Sequence, residues 1–359
     1  MVTSKWISRI PARLEGKDIA REEGCRICGE RSAILVGRIK YWDIRSSNIV
    51  KCSTCRLIQL DPMPDRNEIE KGCLAYYIEE SVRVPEKEQK RNLLRNFRSG
   101  ILFGQSLYKK KIHPVHILEI GPGSGYFLRG VKFIFPEARI TVMDVNSEVL
   151  GLNRKQFQYD TIHAVPEDYR EDLSRKFDLV IARDILEHVI DISRVISNIA
   201  AYLKPGGVFH FITPNGNEDV WKHYLTHTYL NQPSELLINH LNYFDGTGLK
   251  ELLTKFGMLP LDYYTYKIKT TLKGRGWKVH SKLMERIAED KSADYYITQK
   301  TGEVKNLIFN PEDVTGKWYF KEKRKFLALL VSRYHHDKRI RLSPELNVGH
   351  EIYGLFRKT

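Results

Sequence analysis

Residues 116–125 read HILEIGPGSG, and the next apolar run, ARITVMDV at 138–145, carries an acid at Asp144. An apolar strand feeding a glycine turn at a helix start, then a second strand closed by an acid, is how a parallel α/β sheet holds a nucleoside-like ligand at its carboxyl edge. Gly121, Gly123 and Gly125 let the backbone turn tightly and approach a ligand without an intervening Cβ. Asp144 is placed to accept hydrogen bonds from both hydroxyls of a ribose. From Gly121 the run is G-P-G-S-G, whereas a pyrophosphate cradle wants G-x-G-x-x-G, and Glu119 adds a negative group where a pyrophosphate would be repelled. A ligand with a cationic or uncharged tail is expected instead.

The order of elements around this turn supports a ligand site over a plain βα connection. Periodicity predicts a strand at 114–120, a helix at 124–134, strands at 139–145, 161–165, 177–183 and 207–213, and helices from about 147 and near 191–203. GTGLKELLTKFGM at 246–258 reads as a helix, LDYYTYKI from residue 261 as a strand, and HEIYGLFRK at 350–358 as the final strand. Upstream, residues 84–111 suit a bridging amphipathic helix interrupted at Gly100, and residues 1 to about 20 read as a loose lead-in.

EIGPGSG at 119–125, Asp144, FDLVIARDILEHV at 177–189, LKPGG at 203–207 and ITPN at 212–215 resemble, in order, the motifs of the class I S-adenosylmethionine-dependent methyltransferases. The resemblance covers about residues 112–266 plus the last strand. It implies a Rossmann-like α/β fold with a seven-stranded sheet, and a turn of Gly121, Pro122, Gly123 and Gly125 packed under the cofactor. It also implies that Glu119 supports the turn and the methionine amine, that Asp144 binds the ribose, and that Ala182 and Arg183 line the methionine side. Many relatives hold the adenine amino group with an acid near the end of the third strand. Ala164 stands there in this chain, which leaves Glu167 or Asp168 of IHAVPED to that role.

Cys25 and Cys28 form one C-x2-C pair, Cys52 and Cys55 a second, with 23 residues between them. Two such turns facing each other supply four soft ligands at tetrahedral angles, and zinc is the natural occupant. Iron fits the same ligands, a redox pair is a further alternative, and Cys73 is left over. The run after the second pair, CRLIQLDPMPDRNEIEKGCLAYY, resembles the segment that follows the zinc site in methyltransferases of nucleotide-linked sugars and cell-surface polysaccharides. In that group the zinc module helps form the acceptor cleft, and Tyr76 and Tyr77 fall near a substrate-side tyrosine.

The 359 residues suffice for one sizeable core and a small satellite. The expected organisation is a zinc-binding module with its lead-in at 1–83, the bridging helix at 84–111 and a methyltransferase domain at 112–359. Residues 267–346 form an insert before the last strand, with 19 Lys and Arg against 10 Asp and Glu, most of the chain's formal +14. Within it, Lys321 to Arg341 combine a basic face with the apolar run FLALLV, which suits peripheral contact with phosphate head groups or an anionic carrier, or else a core-facing helix with a solvated charged face. Paired cysteines and the lack of a signal-like apolar stretch predict a reducing, cytoplasmic setting. Nucleic acid is disfavoured, because the knuckle is not densely basic and ARDILEHV stands where a base-modifying enzyme would often show Asn/Asp-Pro-Pro-Tyr/Phe.

Methyl transfer to oxygen or activated carbon also removes a proton, so a histidine or carboxylate is sought near the acceptor. His188 in ILEHV and His240 in NHLNYFDG resemble the two acceptor-side histidines of sugar C-methyltransferases. Those relatives usually place a glutamate before the second histidine, where this chain has Asn239. The reading therefore favours a sugar hydroxyl, nucleotide-linked or in a glycan or glycolipid precursor, with His240 as the base. Alternatives are carbon methylation of a keto-sugar, an RNA methyltransferase, and a cofactor-fold protein that binds without turnover.

Overall fold

The computed structural model describes residues 17–21, 23–41, 45–69, 86–216, 219–220, 240–267, 341, 344 and 349–359. The chain begins with strands β1 (Lys17–Ala20), β2 (Ser32–Tyr41), β3 (Arg45–Cys52) and β4 (Ile58–Asp61), followed by helix α1 (Glu86–Lys109). Then come β5 (His116–Ile120), α2 (Tyr126–Ile134), β6 (Arg139–Asp144), α3 (Ser147–Phe157), β7 (Asp160–His163) and β8 (Phe177–Arg183). The order closes with α4 (Ile192–Tyr202), β9 (Leu203–Pro214), β10 (Asn242–Tyr243), α5 (Gly246–Lys255), β11 (Met258–Tyr266) and β12 (Glu351–Lys358).

The expected Rossmann-like sheet is present, seven-stranded with order β11-β12-β9-β8-β5-β6-β7. β5 through β9 pair in parallel and β12 runs antiparallel between β9 and β11, the architecture of class I methyltransferases. Successive side chains of a strand point to opposite faces. Leu118 and Val180 accordingly join one apolar core, while Ile117, Leu179 and Ile181 join the other. β5 and β8 are neighbours whose connections leave in opposite directions, so their carboxyl ends open a crevice at the switch point.

The helix over residues 84–111 is not interrupted at Gly100, since α1 runs unbroken through it. A Cβ on Gly100 would lie 2.0 Å from the Phe127 carbonyl oxygen, and one on Gly130 would lie 2.1 Å from that of Phe97. Gly100 is thus a contact point where α1 and α2 cross backbone to backbone. Part of the expected lead-in is also ordered, because Lys17–Ala20 pairs antiparallel with Ser32–Leu35.

The second sheet, β1-β2-β3-β4-β10, draws its last strand from far downstream. Asn242 and Tyr243 pair with Gln59 and Ile58, so the cysteine module and the main domain share a sheet. Cys25, Cys52, Cys55 and Leu57 enter the same core as Phe244, Leu249 and Leu252. Among the described residues no helix is long and apolar enough to cross a membrane. Cys73, Tyr76, Tyr77 and Asn239 lie outside the described residues, as does nearly all of the 267–346 insert, its basic stretch at 321–341 included save Arg341.

Candidate active site

On the β5 side of the crevice the three turn glycines all have positive φ, at 68°, 51° and 73° for Gly121, Gly123 and Gly125. Their surroundings differ from one glycine to the next. A Cβ on Gly121 would meet Ile185 Cδ1 at 2.0 Å and one on Gly125 would meet Asn153 Oδ1 at 2.2 Å, whereas nothing lies within 4 Å of the corresponding point over Gly123. The turn is packed behind and open in front. Pro122 is buried and its carbonyl accepts from the Gly125 amide at 3.0 Å.

Glu119 lies beneath this turn, 2% exposed, and its Oε2 has no hydrogen-bond partner among the described residues. Burial raises its pKa to about 8, against a partial counter-pull from Arg183. A buried acceptor lacking a donor is costly, and a cationic ligand group in the crevice would remove that cost. Asp144, at the end of β6, is raised by burial, which its backbone hydrogen bonds and His163 oppose only in part. Its Oδ1 accepts from the Asn146 amide at 2.8 Å. Ala182 is fully buried, and the Arg183 guanidinium lies 3.9 Å over the Phe127 ring. The Glu167 carboxylate accepts from the Ile190 amide at 2.9 Å and so braces the turn before α4, while Asp168 is exposed beside it. The open face over Gly123 and the unsatisfied Glu119 oxygen fit the methionine end of S-adenosylmethionine, and Asp144 fits its ribose.

Asn153 is a contributor that sequence reasoning missed. Its Nδ2 donates to the Gly123 carbonyl and to its own helix at Val149, each at 2.9 Å. It thereby ties the glycine turn to α3. Its place in an ordinary helical pattern offers no local signal.

Across the crevice, a short 3-10 turn at Leu186–His188 follows β8. The Leu241 amide donates to the Glu187 carbonyl at 2.7 Å, and Asn242 Nδ2 donates to the Val189 carbonyl at 2.6 Å. These bonds bring His188 and His240 together, with ring centroids 5.0 Å apart. Asp219, beyond the end of β9, places Oδ2 at 2.5 Å from His240 Nδ1. Burial alone would pull the His240 imidazolium pKa down, but the Asp219 hydrogen bond and charge, with Glu187 and Asp184, raise it on balance. Glu187 is 1% exposed, accepts from Thr213 Oγ1 at 2.9 Å, and has its pKa raised to about 8 by burial and by Asp184. Asp219 and Glu187 were not foreseen; the only hint was that Glu187 directly precedes His188.

The four cysteines converge as expected. Cys25 and Cys55 sulfurs are 3.4 Å apart, Cys28 and Cys52 sulfurs 3.5 Å, and all four lie within 4.8 Å of one another. These separations are too long for disulfides and near the ~3.8 Å between sulfurs of a tetrahedral metal with ~2.3 Å bonds. Cys25 is pulled down to about 5 by its hydrogen bond with Cys55, while Cys55 is pushed up, so the cluster favours a thiolate. Arg26 donates to the Ile190 carbonyl at 3.2 Å, and a Cβ on Gly248 of α5 would lie 2.3 Å from the Cys55 carbonyl oxygen. The knuckle therefore rests directly on the segment that follows the Leu186–His188 turn and on α5.

Residues 83–259 match the family model described as a methyltransferase domain. The chain is similar to the malonyl-(acyl-carrier protein) O-methyltransferase of Priestia megaterium, 27% identical over 157 residues, 43% of this chain and 57% of the relative. It is also similar to the ubiquinone biosynthesis O-methyltransferase of Paramagnetospirillum magneticum, 32% identical over 112 residues, 29% of this chain and 43% of that protein. The chain thus spans about half the length of these curated relatives. Among solved structures, Haemonchus contortus phosphoethanolamine N-methyltransferase 2 in complex with S-adenosyl-L-methionine is similar at 15% identity and a TM-score of 0.36, over 68% of this chain and 48% of that one.

Proposed function

We propose that this chain is an S-adenosylmethionine-dependent methyltransferase acting on a hydroxyl of a small acceptor, with a zinc held by Cys25, Cys28, Cys52 and Cys55. The observation that carries the reading is the pairing, on one sheet edge, of a crevice suited to the cofactor with a histidine held by a carboxylate. On the cofactor side, Glu119 sits under the open face of Gly123 and Asp144 closes β6. On the acceptor side, Asp219 fixes His240. Bound there, the cofactor supplies a methyl group by in-line displacement, and the protein's work is to align the acceptor and handle its proton. His240 Nδ1 is occupied by Asp219, which leaves Nε2 to take the hydroxyl proton when no other group activates that oxygen. As the O–C bond forms, the S–C electron pair stays on the sulfur, and His188 flanks the acceptor beside His240.

For the acceptor we favour a sugar hydroxyl, nucleotide-linked or in a glycan or glycolipid precursor. Support comes from the resemblance of the cysteine module and its DPMP segment, and from the docking of that module against the acceptor-side turn. Incubation with methyl-labelled cofactor and extracts fractionated into nucleotide sugars, glycolipids and RNA tests this. Label in a sugar fraction as an oxygen-bound methyl is expected, with turnover lost in His240→Ala. Label chiefly in RNA, or a carbon-bound methyl, would replace the acceptor assignment. Failure of the folded wild type to bind S-adenosylmethionine by calorimetry, or equal binding by Asp144→Ala, would respectively end the enzymatic reading and the ribose assignment.

A further inference from the structure

The acceptor side holds more than proton removal requires. Glu187, His188 and His240 each present one ligand atom, and the three atoms lie within 4.8 Å of one another. Two imidazole nitrogens and a carboxylate oxygen are a donor set for a borderline divalent cation, and three ligands ~2.0–2.2 Å from one metal sit roughly 3–4 Å apart. A closure of about an ångström brings these atoms into range.

The groups behind these three are arranged as a metal's outer contacts are. Metal-binding histidines hand their second nitrogen to a carboxylate, and metal-binding carboxylates are themselves hydrogen-bonded. Asp219 holds His240 Nδ1 at 2.5 Å, and Thr213 Oγ1 holds Glu187 Oε2 at 2.9 Å. That leaves Glu187 Oε1 on the side of His188, with Nε2 at 4.0 Å. The backbone around them is clamped by Leu241 and Asn242, so the grouping is preformed. Asp219 and His240 alone would make a base. They leave unexplained a carboxyl group that is 1% exposed and sits with two imidazoles.

We propose that Glu187, His188 and His240 form a divalent-cation site whose open positions receive an oxygen of the acceptor, a proposal that rests on the methyltransferase reading of the same edge. The bound cation acidifies the acceptor hydroxyl, so the proton passes to solvent water and His240 serves as a ligand in place of a base. The oxygen's electron pair then forms the bond to the methyl carbon as the S–C bond breaks onto sulfur. An acceptor with two adjacent oxygens suits such a site, because both can coordinate.

Mn2+ is the probe, since thiolates select softer metals and the cysteine cluster is a poor site for it. Electron paramagnetic resonance on the full chain should show one bound Mn2+, with affinity at least about tenfold weaker in Glu187→Gln and in His188→Ala. Calorimetry should show cofactor affinity changed by less than about threefold in both, which also reports that they fold. Wild type that binds cofactor but not Mn2+, or Mn2+ binding untouched by both substitutions, would overturn the cation site and leave methyl transfer standing. Mn2+ binding at these residues in folded protein that does not bind cofactor would overturn the methyl-transfer reading and keep the site. If His188→Ala fails to fold, the near-isosteric Glu187→Gln carries the measurement.

Discussion

The two halves of the carboxyl edge are assembled in opposite ways. The proposed cofactor half takes Glu119, the glycine turn, Asp144 and Asn153 from one continuous stretch that forms β5, α2, β6 and α3. The proposed acceptor half gathers His188, Asp219 and His240 from three separate segments and backs them with cysteines from the beginning of the chain. A contiguous unit carries its own ladder of hydrogen bonds, whereas a gathered one depends on docking. Damage to the knuckle should therefore spare cofactor binding and spoil turnover.

The largest expected effect tests that separation directly. Cys55→Ser should remove zinc, read by elemental analysis of protein purified without added metal, and lower methyl transfer by about a hundredfold through misplacement of the acceptor side. Cofactor affinity should stay within about threefold. Parallel loss of both functions would show the halves to be one unit. The next effect lies behind the cofactor half, where Gly100→Ala or Gly130→Ala forces α1 and α2 apart. Overpacking of this kind costs about 1–3 kcal/mol, and thermal melting should fall by about 3–10 °C. An unchanged melting temperature would mean the crossing is loose.

A smaller effect is expected at Asn153, whose removal frees the glycine turn from α3. Asn153→Ala should weaken cofactor binding about tenfold, roughly the value of one lost buried hydrogen bond, with zinc content unchanged. The smallest is a proton. Glu119, held at about 8 by burial, is mostly protonated at neutral pH in the free protein, and a cationic methionine amine beside it favours the carboxylate. Cofactor binding at neutral pH should release close to one proton, seen by calorimetry in buffers of different ionisation enthalpy, and should strengthen as pH rises toward about 8. Because the folded pKa lies above the ordinary 4.5, the free protein should lose stability as pH rises from about 4.5 to about 8. Glu119→Gln should abolish the release.

The glycine turn and its flanking strands were legible because their signals are local. A buried parallel strand reads as an apolar run, and a glycine turn before a helix announces itself within ten residues. The features that escaped have partners distant in sequence. Gly100 resembles a helix break unless Gly130 is known to face it. A two-residue strand such as β10 has no periodicity to detect, and it pairs only because β4 presents an edge. Asp219 and Glu187 look like ordinary acids until the fold sets them against His240 and Thr213.

The pairing of β10 with β4 also bears on how the chain is made. The strands around the first cysteines leave the ribosome early, yet the fifth strand of their sheet is Asn242–Tyr243. Until that segment emerges, the outer edge of β4 has no neighbour, and an uncovered edge invites pairing with other chains. Contacts of such long sequence separation form slowly. The nascent protein thus passes through a stage in which its first sheet is one strand short, and early capture of metal by the four cysteines would hold that sheet in register while the rest of the chain is synthesised.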